Sequence, residues 1–213
     1  MIYLEVISGD TVFAHTRNSK AYKKLEGFFS SELENITKKD EFVFPYVVDL
    51  LVRMVTPSTT YLDDDKPLSI AYFELRQARA QGFGPNETSE FFRALADEVF
   101  FSCGWTPERF ERSRRPINLE FYIQYGVACY SNAAQIDWEL ELEDRATTLT
   151  FLANQYIDWA NNVYSIKQSA EKNFELLNIW QSLIASSSLD DEQILHCIEH
   201  LISRLPDIFD APR

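Results

Sequence analysis

The segment "LHCIEH", residues 195–200, contains two of the three histidines of the chain and could bind a metal ion. Its spacing His-x-x-Glu-His puts His196 and His200 one helical turn apart, as zinc ligands on a helix require, and a peptidase would use Glu199 to activate water. A third ligand is also needed, yet both histidines fall on the polar side of the helix and only 13 residues follow His200. We therefore expect a solvated helix face, with His196 and His200 as weak candidates and no bound metal.

A short arginine-rich segment, "RFERSRR" at residues 109–115, could bind an anion or an acidic protein. Four arginines against Glu111 give it a net charge of +3, which leaves −16 for the rest of a chain whose net charge is −13. Guanidinium groups bind carboxylates and phosphates through paired hydrogen bonds. The alternative is that these arginines pair with an acidic segment such as "DWELELED", residues 137–144, in the same molecule or in a partner. The candidate contact residues are Arg109, Arg112, Arg114, Arg115 and the neighbouring Trp105.

Two pairs of opposite charges stand four residues apart inside apolar helical stretches. Asp49 can meet Arg53, and Arg93 can meet Asp97, because residues at this spacing share one face of a helix. With nearby tyrosines they could form a polar pocket for a small ligand between helices at 44–55 and 118–134. The alternative is that they are ion pairs that fix the packing of the bundle. The tyrosines of the pocket hypothesis are Tyr122, Tyr125 and Tyr156.

The sequence contains none of the short motifs that mark common catalytic sites. It has no Gly-rich phosphate loop, no Gly-x-Ser-x-Gly turn and no Cys-x-x-Cys. It also lacks Glu-x-x-His, which the carboxylate-bridged iron centres of helical bundles use. We expect no cofactor, and an enzyme is the less favoured class.

Net charge and cysteine usage limit the partners and the location of the chain. A net charge of −13 repels phosphate backbones and anionic lipid headgroups, so we expect no nucleic-acid or membrane-surface partner. The sequence opens without a secretory signal and contains no apolar run of about 20 residues that could span a membrane. Cys103, Cys129 and Cys197 stand beside apolar residues, as buried free thiols do, and predict a cytoplasmic protein.

Apolar residues recur at three- and four-residue steps along most of the chain, which predicts an all-α fold. We expect a compact bundle of seven or eight helices forming a single domain over residues 1–213, with residues 1–17 as a β-hairpin or an N-terminal arm. The helix at "FVFPYVVDLLVRMV" is apolar almost all round, which favours a central position. Gly126 predicts a close approach of another helix. The segment 141–186 predicts one long helix, or two joined at the hydrophilic "KQSAEKN".

Three stretches in this order resemble a group of uncharacterised helical bacterial proteins: "FPYVVDLLVRMV" (44–55), "LADEVFFSCGWTPERF" (95–110) and "FYIQYGVACY" (121–130). In that group an apolar helix precedes a Leu-x-Asp helix, a Gly-aromatic-x-Pro-Glu turn and a Tyr-rich helix. The resemblance covers residues 44–166 and implies a helical fold and a bacterial source. It implies no activity or ligand. The chain departs from the pattern at Cys-Gly-Trp, residues 103–105. In the group two aromatic residues follow the glycine, whereas here a single tryptophan does.

Two functions remain open from the sequence. The favoured one is a non-enzymatic cytosolic helical protein that binds another protein, or a second copy of itself, as an adaptor or regulator. Its contact surface would be the arginine-rich segment. The alternative is a bundle that binds a small ligand, or acts on one, in a pocket between the helices at 44–55 and 118–134.

Overall fold

The structure, a computed structural model, describes residues 20–38, 41–55, 82–111 and 118–171, with the backbone alone at 20–22, 24, 55, 109, 111, 170 and 171. Within these ranges the regular secondary structure is entirely helical, which confirms the all-α prediction for this part of the chain. The helices are α1 (Lys20–Ile36), α2 (Val43–Val55), α3 (Pro85–Trp105), the single-turn α4 (Glu108–Glu111), α5 (Leu119–Glu139), α6 (Glu143–Asn154) and α7 (Tyr156–Glu171).

Other predicted elements lie outside the described residues. They are the N-terminal hairpin or arm and the segment with His196 and His200, which we expect to form a helix. The expected total of seven or eight helices and the single domain over 1–213 stay predictions.

The chain divides into two compact units, and α2 and α7 each contribute residues to both. The described residues of unit 1 are 20–36, 48–55 and 166–171, and those of unit 2 are 37–38, 41–47, 82–111 and 118–165.

Unit 1 contains α1, and its buried stripe follows the predicted periodicity. Leu25, Phe29 and Leu33 are spaced four residues apart on one face of α1, and all three are fully buried. Ser169, from the end of α7, donates a hydrogen bond to Glu32 on α1. The two helices are therefore linked by a polar contact beside the apolar stripe.

Unit 2 is built on α3 and α5, with α6 and the first part of α7 against them. Two glycines allow close helix packing, because a Cβ at either position would collide with α7. At Gly104 it would lie 2.8 Å from Cβ of Val163 and 2.9 Å from the carbonyl oxygen of Ala160. At Gly126 it would lie 2.7 Å from Cζ of Tyr156, which confirms the predicted close approach.

Aromatic rings fill the space between α3, α5 and α7. Phe100 makes edge-on contacts with Tyr130 and Tyr156, at centroid distances of 6.2 and 5.2 Å. Such edge-to-face pairs add stabilisation beyond the apolar area that they bury. All three side chains are almost completely excluded from solvent, so the core of unit 2 is aromatic, as the composition indicates.

Two helix boundaries differ from what local sequence signals indicate. Glycine often ends a helix, but α3 continues through Gly104 to Trp105, and the missing side chain allows α3 to pack closely against α7. The segment 141–186 also breaks at Gln155, where no joint is predicted, since α6 ends at Asn154 and α7 begins at Tyr156. The joint predicted at "KQSAEKN" is helical through Glu171, and its last two residues lie outside the described ones. The break at Gln155 has no Gly or Pro signal.

Candidate functional site

A buried ion pair joins the two sides of the turn between α5 and α6. Nε and Nη2 of Arg145 each donate to a carboxylate oxygen of Asp137 at 2.6 Å, which is the bidentate geometry of a strong guanidinium–carboxylate pair. Asp137 is fully buried, and Ser89 on α3 also donates to it. Nη1 of Arg145 donates in addition to Glu90 on α3. One arginine thus connects α3, α5 and α6.

A second carboxylate, Asp97, sits one helical turn beyond Arg93 on the same face of α3. It accepts hydrogen bonds from the hydroxyl of Tyr46 at 2.6 Å and from that of Tyr130 at 2.9 Å, and it is 1 % exposed. Nη1 of Arg93 lies 3.7 Å from its other oxygen, while Nε of Arg93 donates to Glu90 at 2.9 Å. The carboxylate charge is therefore compensated by two hydroxyls and one guanidinium.

The charges of this network reinforce one another. Burial disfavours the charge on Arg93, but Tyr46, Asp97 and Glu90 outweigh it and hold its pKa well above the ordinary value. The hydrogen bonds to Asp137 and the attraction of Glu90 likewise raise the pKa of Arg145, against the effect of its partial burial. Both arginines stay charged, so the network is a set of satisfied ion pairs that fixes the helices of unit 2.

A pair of buried thiols flanks Tyr156. Burial raises the pKa of Cys103 and of Cys129 from 9.0 to about 12 in each case, against smaller lowering contributions from Tyr156 and Tyr125. Burial, and then the neighbouring Cys103, raise the pKa of Tyr156 as well. Within the described part of the chain the Tyr156 hydroxyl has no hydrogen-bond partner of ordinary geometry. These thiols are protonated and unreactive near neutral pH, and both are free, as predicted.

The turn between α5 and α6, residues 138–144, exposes two large apolar side chains. Trp138 is 50 % exposed and Leu142 is 39 % exposed. We call these seven residues the acidic turn, because its other exposed side chains are Glu139, Glu141, Glu143 and Asp144. Among the described residues, none of these four acids forms an ion pair with a cationic side chain. The turn therefore presents apolar area surrounded by negative charge that no cation of the described residues compensates.

Further exposed apolar side chains lie along α7 and elsewhere in unit 2. Ile157 is 57 % exposed and Tyr164 is 37 % exposed, and their spacing of seven residues places them on one face of α7. Phe121 on α5 is 44 % exposed and stacks on Tyr125 at a centroid distance of 6.4 Å. Phe151 on α6 is 40 % exposed and stacks on Phe42 at 6.2 Å. The Phe121 and Phe151 rings have neighbours within the fold.

The predicted charge pairs both form, one in each compact unit. Nε of Arg53 donates to Asp49 at 3.0 Å in unit 1, where the side chains are 18 % and 33 % exposed. Arg93 and Asp97 belong to the network of unit 2. The pocket hypothesis, which needs both pairs, stays a prediction.

The aromatic residues singled out from the sequence pack against other aromatic rings. Tyr122 packs against Phe110, with ring centroids 4.3 Å apart, while Tyr125 stacks on Phe121. Trp105 is fully buried and stacks on Phe101 at 5.3 Å, so its ring belongs to the core and is not a surface beside the arginine-rich segment.

The remaining candidate residues lie in the arginine-rich segment and in the last predicted helix. Arg109 lies in α4 with only its backbone described, and Arg112, Arg114, Arg115, His196 and His200 lie outside the described residues.

Sequence reasoning missed the central members of the network. The sequence places Asp137 in an acidic segment that could pair with the arginine-rich segment, but the structure buries its carboxylate completely. The signal was present: Asp137 continues the buried positions Tyr130, Ala133 and Ala134 along one face of α5. No local pattern marks Arg145, because its partners come from α3 and from across the turn.

The described part of the chain holds no group of three or more His, Cys, Asp or Glu side chains arranged to bind a metal ion. Among the helices that the structure describes, none is long and apolar enough to cross a membrane. Compared with known proteins, the chain matches no protein family, no curated protein and no solved structure.

Proposed function

We propose that this is a non-enzymatic cytosolic helical protein that acts by binding another protein, as an adaptor or regulator. The observation that carries the proposal is the set of large apolar side chains exposed on unit 2, above all Trp138 and Ile157, each at least half exposed. Exposed aromatic and aliphatic side chains that are grouped with polar neighbours are typical of protein-binding surfaces. Binding through such a surface needs no catalytic group.

The chemistry of the buried groups supports the same class. The charged groups of the network are paired with one another, and the thiols Cys103 and Cys129 are buried and protonated. These groups stabilise the fold of unit 2, so we assign the binding function to the exposed surface. A cytosolic location belongs to the proposal because two buried free thiols suit a reducing compartment.

The arginine-rich segment is a second proposed contact surface. Its four guanidinium groups would bind carboxylates of a partner, and its charge is opposite to that of the chain as a whole. Reversing the charge at Arg112, Arg114 and Arg115 together is expected to weaken capture of a partner that uses this segment.

Affinity purification of the tagged full chain from the cells that make it tests the proposal. We expect a stoichiometric protein partner that is lost in at least one of three variants and retained in the control Glu120→Gln, which changes an exposed side chain of α5. The variants are Trp138→Ser with Leu142→Ser, Ile157→Ser with Tyr164→Ser, and the triple arginine reversal. If the protein is recovered alone with a small molecule or a stoichiometric metal ion, the proposal is wrong.

A further inference from the structure

We propose that the acidic turn is the docking site for a basic amphipathic helix of a protein partner. This inference rests on the proposed function and names the chemistry of the partner at one surface. Trp138 and Leu142 would anchor the apolar face of the partner helix, and Glu139, Glu141, Glu143 and Asp144 would receive its Lys and Arg side chains.

Trp138 is the anchor with the properties of a binding hot spot. Half of its side chain is exposed at the end of α5, and Leu142, four residues further along the turn, is exposed as well. Tryptophan contributes a large rigid apolar area at low conformational cost, which is why it is over-represented among residues that dominate binding energy. An amphipathic helix presents apolar side chains at positions i, i+3 and i+4 on one face. Such a face can pack on Trp138 and Leu142 together.

The turn is held in one conformation before any partner binds. The amide of Leu142 donates to the carbonyl of Asp137 at 2.9 Å, and the amide of Glu141 donates to that of Trp138 at 3.2 Å. Glu141 adopts a left-handed conformation, with φ of 60°. The bidentate pair of Asp137 with Arg145 connects the two ends of the turn. A surface that is already ordered loses less conformational entropy on binding, so a larger part of the contact free energy appears as affinity.

The charge of the surface decides which occupant fits. The C-terminal end of α5 carries no basic residue in its last turn, yet Glu139 and Glu141 lie at this negative end of the helix dipole. That arrangement is unfavourable for the fold alone and becomes favourable when a cationic helix covers it. A second copy packed turn against turn would bring like charges together. A lipid surface with anionic headgroups would be repelled for the same reason.

A synthetic helix provides a direct test with the full chain. The probe is an amphipathic peptide of leucine and lysine, compared with the same pattern in which glutamate replaces every lysine. We expect saturable binding of the lysine peptide in calorimetry, an affinity that falls with added salt as screening reduces the charge attraction, and no binding of the glutamate peptide.

Two variants locate the binding on the turn. Trp138→Ala is expected to weaken binding by about 30-fold, as loss of a hot-spot tryptophan does. Its matched control is Phe121→Ala, an exposed aromatic residue about 25 Å away along the same helix by the 1.5 Å rise per residue. The double variant Glu139→Gln with Glu141→Gln is expected to weaken binding while leaving the melting temperature unchanged or raised, because these charges oppose the helix dipole.

Other results would overturn the inference. They are equal binding of both peptides, an unchanged affinity for Trp138→Ala, a blue shift of tryptophan fluorescence on addition of phosphatidylcholine vesicles that Trp138→Ala abolishes, or a dimer that Trp138→Ala converts to a monomer. A partner that is captured by affinity purification and lost only with the Ile157 and Tyr164 variant would contradict this inference and leave the proposed function standing. Recovery of the protein without any protein partner would contradict both.

Discussion

Arg145 holds Asp137 in a bidentate ion pair, and through it the turn between α5 and α6 is fixed against α3. Both contacts of the pair measure 2.6 Å, and the carboxylate is fully buried. The same guanidinium also donates to Glu90 on α3. The half-buried Arg145 of α6 thereby fixes the neighbouring exposed turn, so the ion network and the proposed binding surface are parts of one arrangement.

Arg145→Met should destabilise the protein by about 3–5 kcal/mol, because it leaves the Asp137 carboxylate buried without its cation. Adding Asp137→Asn to this variant should recover part of the loss, since an amide has no charge to desolvate. Free energies of unfolding in urea measure both effects. The exposed control Glu120→Gln should stay within about 0.5 kcal/mol of the parent protein. A double variant less stable than Arg145→Met alone would contradict the assignment of the pair.

Tyr130→Phe should cost about 1.5–3 kcal/mol of unfolding free energy. It removes the hydroxyl that donates to the buried Asp97 at 2.9 Å, and hydrogen bonds to charged groups fall in that range. Tyr164→Phe is the matched control, because the Tyr164 side chain is 37 % exposed. The free energies of unfolding in urea should therefore be clearly lower for Tyr130→Phe than for Tyr164→Phe. Equal values would show that the Tyr130 hydrogen bond contributes little.

Two glycine substitutions in helix interiors should have opposite signs. Gly104→Ala puts a Cβ 2.9 Å from the backbone oxygen of Ala160, which cannot move away cheaply, so we expect a loss of about 1–3 kcal/mol. Gly27→Ala in α1 meets no atom within 4 Å and should stabilise the protein by about 0.5–1 kcal/mol through better helix propensity. Melting curves of both variants test this. A stabilising Gly104→Ala would mean that α3 and α7 do not approach so closely.

Stability should fall between pH 8 and pH 10 because of Cys103 and Cys129. Burial raises the pKa of each thiol from 9.0 to about 12, so the folded protein keeps both protons while the unfolded chain loses them. The stability that depends on the two protonated thiols is fully present below the thiol pKa of 9.0 in the unfolded chain. It is lost as pH rises toward the thiol pKa of about 12 in the folded protein. The loss across this window is about 1.4 kcal/mol per thiol.

The comparison protein for the pH experiment is Cys103→Ala with Cys129→Ala, which should lose less stability over the same range. Alkylation followed by mass spectrometry adds a second test, since both thiols should resist iodoacetamide at pH 8 until the protein unfolds. Rapid native alkylation of either one would contradict the protected state.

The helical class and the buried stripes could be predicted because they depend on local periodicity. Leu25, Phe29 and Leu33 are buried at the expected spacing, and Gly126 marks a close contact. The break at Gln155 could not be predicted, because neither Gly nor Pro accompanies it. The position of Gly104 inside α3 depends on a neighbour about 60 residues away along the chain, which local propensity does not register.

The candidate site was only partly predictable, for a similar reason. Arg93 and Asp97 share a helix, so their spacing was sufficient to pair them. Arg145 meets Asp137 across a turn and Glu90 from another helix, and these contacts require the tertiary structure. The exposed acids of the turn were recognised as an acidic segment, but the exposure of Trp138 and Leu142 among them follows only from the fold.

Photo-cross-linking from the acidic turn tests the central claim most directly. A photoreactive amino acid replaces Leu142 in the full chain, and another replaces Glu120 at the far end of α5 as the control. We predict that position 142 forms a discrete adduct in cells with a protein whose cross-linked peptide is basic and amphipathic, and that position 120 does not. An unmodified protein at position 142, or the same adducts at both positions, would contradict the claim that this surface binds a partner.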